Sequence, residues 1–178
     1  MIYKFRVILD AEEDVFRDIA IEENDSLEDL HNAIVNAFGF DGMEMAAFYT
    51  CDDQWTQDQE IPLFDTGDNP GEGLTMADYI LSSTFDRENT KIIYVYDFLN
   101  MWTFFVELAA IEEAEQGIAY PDLLFSHGIL PLTAPDKEFD ADSDDIYSDF
   151  EDDYDEEDFD MFEGDDSFND YGFEENWN

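Results

Sequence analysis

The last forty residues of the chain, from Phe139 to Asn178, interleave acidic residues with aromatic ones and contain no lysine or arginine. Carboxylates at this density repel one another, so the aromatic side chains of the segment cannot collapse into a core of their own. The remaining residues carry the alternating and helical patterns of a folded domain. The sequence therefore predicts a folded domain over residues 1–135, followed by an acidic, disordered tail over residues 136–178.

The charge of the folded part limits its partners. Residues 1–135 hold 28 of the 49 acidic residues against five basic ones, a formal charge of −23 within a total of −43. Such a surface repels the phosphates of nucleic acids and attracts cations. We therefore expect a basic protein or peptide as partner, and no direct binding of DNA or RNA.

The compartment is predicted from what the chain lacks. Cys51 is the single cysteine and cannot form an internal disulfide, which is typical of a reducing environment. No window approaches the ~18 apolar residues of a membrane span, and the first residues lack the apolar stretch of a signal peptide. We expect a cytoplasmic protein that does not associate with membranes.

The first half of the chain predicts a hairpin followed by a helix. Apolar residues alternate over 3–9 and again over 15–21, as in two half-buried strands. Ser26, with Asp29 three residues later, predicts a helix start, and apolar residues then recur at helical spacing to Phe38 before Gly39. Residues 45–51 predict a third strand.

The second half predicts a long loop, a short helix and a second hairpin. Residues 52–73 are polar and rich in proline and glycine, so we expect a surface loop. Residues 75–81 predict a short helix, and 91–98 and 102–108 predict two strands. We expect 120–132 to close the domain as an arm. The fold class is therefore α+β: a mixed or antiparallel sheet with a β-β-α-β start and one or two covering helices.

Several motifs together resemble the plasmid pRiA Orf3-like family, whose members are small α+β proteins of plasmids and insertion elements. The resemblance spans roughly residues 2–130, and its most specific pieces are the Leu-Glu-Asp-Leu-His helix start and a Tyr-Asp-Phe-x-x-x-Trp hairpin. It implies a fold and a mobile-element setting, without an established enzymatic activity. The family motif residues carried over to this chain are His31, Tyr96, Asp97, Phe98 and Trp102.

The chain departs from the family pattern at the hairpin. The family has Gly-Asp between its Tyr-Asp-Phe and its tryptophan, where this chain has Leu99-Asn100. Glycine adopts a positive φ without strain, and leucine does not. A ligand site built on those family residues would be altered here.

Two motif residues have a functional and a structural interpretation. Asp97 is either a site carboxylate at a strand end or the cap of the Leu99-Asn100 turn. His31 is either a catalytic base or a half-buried histidine bonded to a neighbouring backbone group. A hydrolase using both is one hypothesis, but no nucleophile or second base is signalled, so we predict no catalytic residues.

No metal or cofactor site is predicted. Cys51, His31 and His127 match no zinc spacing. The alternating aspartates of residues 140–151 follow calcium-loop spacing but lack the glycine that such a loop needs.

The tail aromatics leave two interpretations open. They belong either to a solvated disordered segment or to an acidic–aromatic motif that folds against a basic, partly apolar partner surface. The second predicts a non-enzymatic protein-binding module, and the alternative function is a nucleic-acid mimic that occupies the DNA-binding surface of a basic protein. The candidate partner-binding residues are Phe150, Tyr154, Phe159 and Phe162.

Overall fold

The computed structural model describes residues 1–136. It contains one seven-stranded sheet, two α-helices and a 3₁₀ turn over Met76–Asp78. In chain order the elements are β1 Ile2–Leu9, β2 Phe16–Glu22, α1 Leu27–Phe38, β3 Ala46–Cys51, β4 Gln57–Pro62, α2 Leu81–Thr84, β5 Lys91–Tyr96, β6 Trp102–Glu112 and β7 Asp122–His127.

The strands lie in the order β4-β3-β5-β6-β1-β2-β7, and each neighbouring pair is antiparallel. The two hairpins β1–β2 and β5–β6 pair through β1 and β6 to form the middle of the sheet. The prediction of an α+β fold with an antiparallel sheet is confirmed, and so is the β-β-α-β start.

Helix α1 begins and ends where the sequence predicts. The Ser26 N–H donates to Asp29 Oδ2 at 2.8 Å, and the Asp29 N–H donates to Ser26 Oγ at 3.2 Å, which closes a capping box. Gly39 ends the helix with a φ of 75°, a left-handed conformation that glycine adopts at low cost. The apolar face of the helix joins the aromatic side chains of the central strands in one core.

Three predicted segments differ in the structure. Strand β4 lies inside the predicted loop 52–73, because β3 offers it a partner that the polar sequence Gln-Asp-Gln-Glu does not signal. The predicted helix over 75–81 divides into the 3₁₀ turn and α2. The predicted closing arm contains β7, which pairs with β2 and extends the sheet.

Within residues 1–136, no helix has the length and apolar character needed to cross a membrane. The predicted acidic tail and its four candidate aromatic residues lie outside the described residues.

Candidate functional site

The turn between β5 and β6 holds Asp97 in a capping role. Asp97 Oδ1 accepts hydrogen bonds from the N–H of Leu99 at 3.1 Å and of Asn100 at 3.4 Å, while Oδ2 accepts one from Asn100 Nδ2 at 2.5 Å. The residue is buried. Both carboxylate oxygens therefore stabilise the turn. These contacts are the ones expected of a residue that caps the Leu99-Asn100 turn.

Backbone strain in this turn falls at its two ends. Positive φ angles occur at Asp97, 60°, and at Met101, 57°. Leu99, which stands where the family has glycine, is not among the residues with positive φ, and its side chain is 93% exposed. Leu99 therefore needs no positive φ in this turn, because Asp97 and Met101 adopt the left-handed conformation, which aspartate tolerates better than most residues.

An aromatic layer fixes the neighbouring loop to this turn. The Tyr96 hydroxyl donates to Asp41 Oδ1 at 2.9 Å and accepts from the Gly42 N–H at 3.1 Å. Phe40 stacks on Tyr96 with the ring centroids 4.5 Å apart, and it contacts Trp102 with the ring centroids 5.4 Å apart. Tyr96 and Trp102 are buried, whereas Phe98 is 38% exposed.

The pKa shifts of Tyr96 and Asp41 are those of a hydrogen-bonded pair that stabilises the structure. Burial, followed by the hydrogen bond to Asp41, raises the pKa of Tyr96. The backbone N–H of Met43, followed by the Tyr96 hydroxyl, lowers the pKa of Asp41. The tyrosine thus stays neutral and the aspartate charged, so the pair holds the 39–45 loop in place.

His31 lies in the core, away from solvent. Its side chain is 3% exposed, and its Nδ1 lies 2.7 Å from the Tyr94 hydroxyl. Burial lowers the pKa of His31 to about 4 and raises that of Tyr94. The expectation of a half-buried histidine bonded to the backbone was wrong, because the long Tyr94 side chain on β5 reaches the helix and supplies the partner.

The structure does not assemble the hypothetical pair of Asp97 and His31. The polar atoms of Asp97 are engaged by the turn, and the Nδ1 of His31 is engaged by Tyr94. Cys51 is a poor nucleophile as well, since burial and then the charge of Asp52 raise the pKa of its thiol. In the part of the chain that is described, no three His, Cys, Asp or Glu residues are grouped to hold a metal ion.

Sequence reasoning missed the role of Arg17. Its Nη1 donates to the carbonyls of Phe16, His127 and Gly128 at 2.8, 2.9 and 3.2 Å, and its Nε donates to Ala37 at 3.3 Å. The guanidinium also lies 4.9 Å from the Phe38 ring centre. Burial lowers the pKa of Arg17, although a guanidinium remains charged in proteins. This side chain ties β2, β7 and the end of α1 together.

The signal for that role is visible in the sequence. Arg17 lies at an inward-facing position of its strand, in the same alternating set as Val15 and Ile19. A charged residue at that position indicates a buried cation that requires acceptors. Backbone carbonyls at the C-terminal end of a helix suit it, because they carry the negative end of the helix dipole.

A groove of about 510 Å³ lies between α1 and the start of β7. Ile19 and Leu123, which are partners across β2 and β7, give it an apolar part. The helix contributes amides and small side chains, and carboxylates complete the lining. This groove was also missed, because its two sides are about a hundred residues apart in the chain and β7 was not predicted as a strand. Its polar lining residues are Asp25, Asp29, Asn32, Asn36, Tyr120 and Asp122.

Comparisons with known proteins identify relatives without a described activity. The family model described as plasmid pRiA4b ORF-3-like protein matches residues 1–133. A crystal structure of a protein of unknown function from Methanosarcina mazei Go1 is similar, with a TM-score of 0.60 and 24% sequence identity over 70% of this chain and 68% of that one. No curated protein matches significantly.

Proposed function

The chain belongs to the plasmid pRiA4b ORF-3-like family, and we propose that it acts as a non-enzymatic, cytoplasmic binding module for basic proteins or peptides. The proposal combines the acidity of the whole sequence with the way the folded part uses its few cations. It includes the tail, whose alternating acids and aromatics suit a basic and partly apolar surface.

The observation that carries the proposal is the position of the basic side chains. Four of the five basic side chains in residues 1–136 make internal contacts; two of these pair with one carboxylate each and two bind carbonyls, so most of the acids in these residues keep an uncompensated charge. Lys4 pairs with Glu112, Arg6 with Asp18, Lys91 with the Asp53 carbonyl and the Trp55 ring, and Arg17 with the four carbonyls described above. A surface with this balance attracts cationic partners and accelerates their association.

The candidate catalytic groups support a binding role. His31 is buried with a pKa of about 4, Asp97 is buried and accepts hydrogen bonds within its turn, and the pKa of Cys51 is raised. A general base needs a pKa near the working pH and access to substrate. Burial denies substrate access to His31 and Asp97, and the raised pKa of Cys51 disfavours its reactive thiolate.

The proposal is tested by capture on the immobilised full chain from the cytosol of its host. We expect the retained proteins to be basic, and to be released as salt rises from about 0.1 M to about 1 M, where the screening length falls from about 10 Å to about 3 Å. Retention of acidic proteins that resist salt would contradict the proposal. Release by duplex DNA at constant salt would assign the binding to nucleic-acid mimicry.

The contribution of the tail is tested at constant charge. A variant with Phe150, Tyr154, Phe159 and Phe162 replaced by serine keeps every carboxylate and removes four aromatic rings. We expect weaker binding of each captured partner, since aromatic side chains supply much of the apolar energy of an interface. Unchanged affinities, measured by titration calorimetry, would show that the tail acts as a plain polyanion.

A further inference from the structure

The two edges of the sheet differ in how they are protected. Strand β4 forms one edge, and its residues 57–60 are polar or acidic and exposed. Strand β7 forms the other edge and pairs only with β2 among the described residues. Its Leu123, Leu124 and Phe125 are 44–52% exposed. Charges protect an edge from further pairing, whereas an apolar edge invites another strand.

The groove lies beside this unprotected edge. Leu123 of β7 lines it together with Ile19, and α1 forms the facing side through Asn32 and Asn36. A strand added to β7 would alternate its side chains, with every second one directed towards the helix side of the sheet. The volume of about 510 Å³ can accept side chains of that kind.

The charge of the groove selects the occupant. Asp25, Asp29 and Asp122 line it, and none of the described residues that line it is basic. Burial, followed by the charge of Asp29, raises the pKa of Asp25, so a cation placed there would relieve unfavourable interactions. The segment 139–178 contains no lysine or arginine, and a second copy brings the same net charge of −43. Both would be repelled.

We propose that an extended peptide segment of a partner, alternating basic and apolar residues, adds as a strand to the free edge of β7 and places its side chains in the groove beside α1. The main-chain hydrogen bonds of β7 supply the strand pairing, and the carboxylates of the groove select lysine or arginine. This inference rests on the proposed function and assigns it a site in the folded part.

The test uses the full chain and a labelled ten-residue peptide of alternating lysine and valine. We expect saturable binding by fluorescence anisotropy and new amide-exchange protection over 122–127. The same peptide with alternate amides methylated cannot donate along the edge, and we expect it to bind at least about tenfold more weakly. Equal binding of the two peptides would overturn strand addition.

A matched pair of variants tests the groove. Asn36→Arg places a cation in the groove from an exposed helix position, and Gln57→Arg makes the same charge change on the β4 edge. We expect Asn36→Arg to weaken binding of the peptide by about tenfold through like-charge repulsion, and Gln57→Arg to change the affinity little. Equal effects would show that the peptide responds only to net charge.

The outcomes separate this inference from the proposed function. Capture of basic proteins without site-specific peptide binding would reject the groove and keep the proposed function, whereas failure of both assays would reject both. Protection of 122–127 in the free chain that depends on concentration would assign the edge to a second copy. Protection that disappears on truncation after Pro135 would assign it to the tail. Either result would overturn the proposal.

Discussion

At the scale of single residues, His31 makes stability depend on pH. Its pKa is about 4 in the folded chain and about 6.5 when unfolded. Between these values the unfolded chain binds a proton that the folded chain does not. The contribution of His31 therefore favours folding above about pH 6.5 and is lost as the pH falls towards 4, by up to about 3 kcal/mol.

His31→Gln removes this titration and retains an amide near the Tyr94 hydroxyl. We expect the free energy of unfolding of the wild type to fall relative to that of the variant between about pH 6.5 and about pH 4, measured by urea denaturation. The many carboxylates are common to both chains, so their protonation cancels in the difference. His127→Gln, at an exposed position, is the control. Parallel pH profiles for wild type and His31→Gln would contradict a buried neutral His31.

Arg17 is the second residue whose environment predicts a large effect. Arg17→Met keeps much of the apolar length of the side chain and leaves the carbonyls of Ala37, His127 and Gly128 without their donor. We expect a loss of about 2–3 kcal/mol, together with faster amide exchange in β7. Arg6→Met, which removes an exposed salt bridge to Asp18, should cost less than about 1 kcal/mol. Equal costs would show that the four-carbonyl arrangement does not stabilise the fold.

At the scale of elements, two substitutions in the β5–β6 hairpin distinguish the stability that comes from core packing from the stability that comes from hydrogen bonds in the turn. Trp102 is 7% exposed and contacts Phe40, so Trp102→Ala should cost about 3–5 kcal/mol. Asp97→Asn keeps one oxygen acceptor and a residue that tolerates positive φ, so it should cost much less. Thermal or urea denaturation of both variants measures the difference. A near-neutral Trp102→Ala with lost partner binding would place this tryptophan in a binding site.

The elements also show what the sequence could predict. Periodicity and capping residues located α1 and both hairpins, because these depend on local patterns. Strand β4 was missed because its residues 57–60 are polar and exposed, although it pairs with the neighbouring β3. Strand β7 was missed because its partner β2 comes from a distant part of the chain. For the same reason, neither the carbonyl partners of Arg17 nor the groove was predicted. The charge of the surface could be counted directly, and it carries most of the functional argument.

At the scale of the whole molecule, charge divides almost equally between two parts of unequal length. Residues 1–135 carry a formal charge of −23, and residues 136–178 carry the remaining −20 of the total −43. The described core, including its partly buried Leu130 and Ala134, lies within residues 1–135. Like charge at this density opposes compaction and is screened by salt. Removing the tail should therefore relieve repulsion while it leaves this core intact.

We expect truncation after Pro135 to leave a domain that unfolds cooperatively, with a melting temperature equal to or above that of the full chain. The reason is electrostatic, so any increase should be largest at low salt and should shrink when the screening length falls to about 3 Å, near 1 M. Calorimetry of both chains at low and high salt measures these differences. An increase that persists in high salt would require a cause other than charge. Loss of cooperative melting on truncation would show that residues 136–178 contribute to the core, and the division at Pro135 would then be wrong.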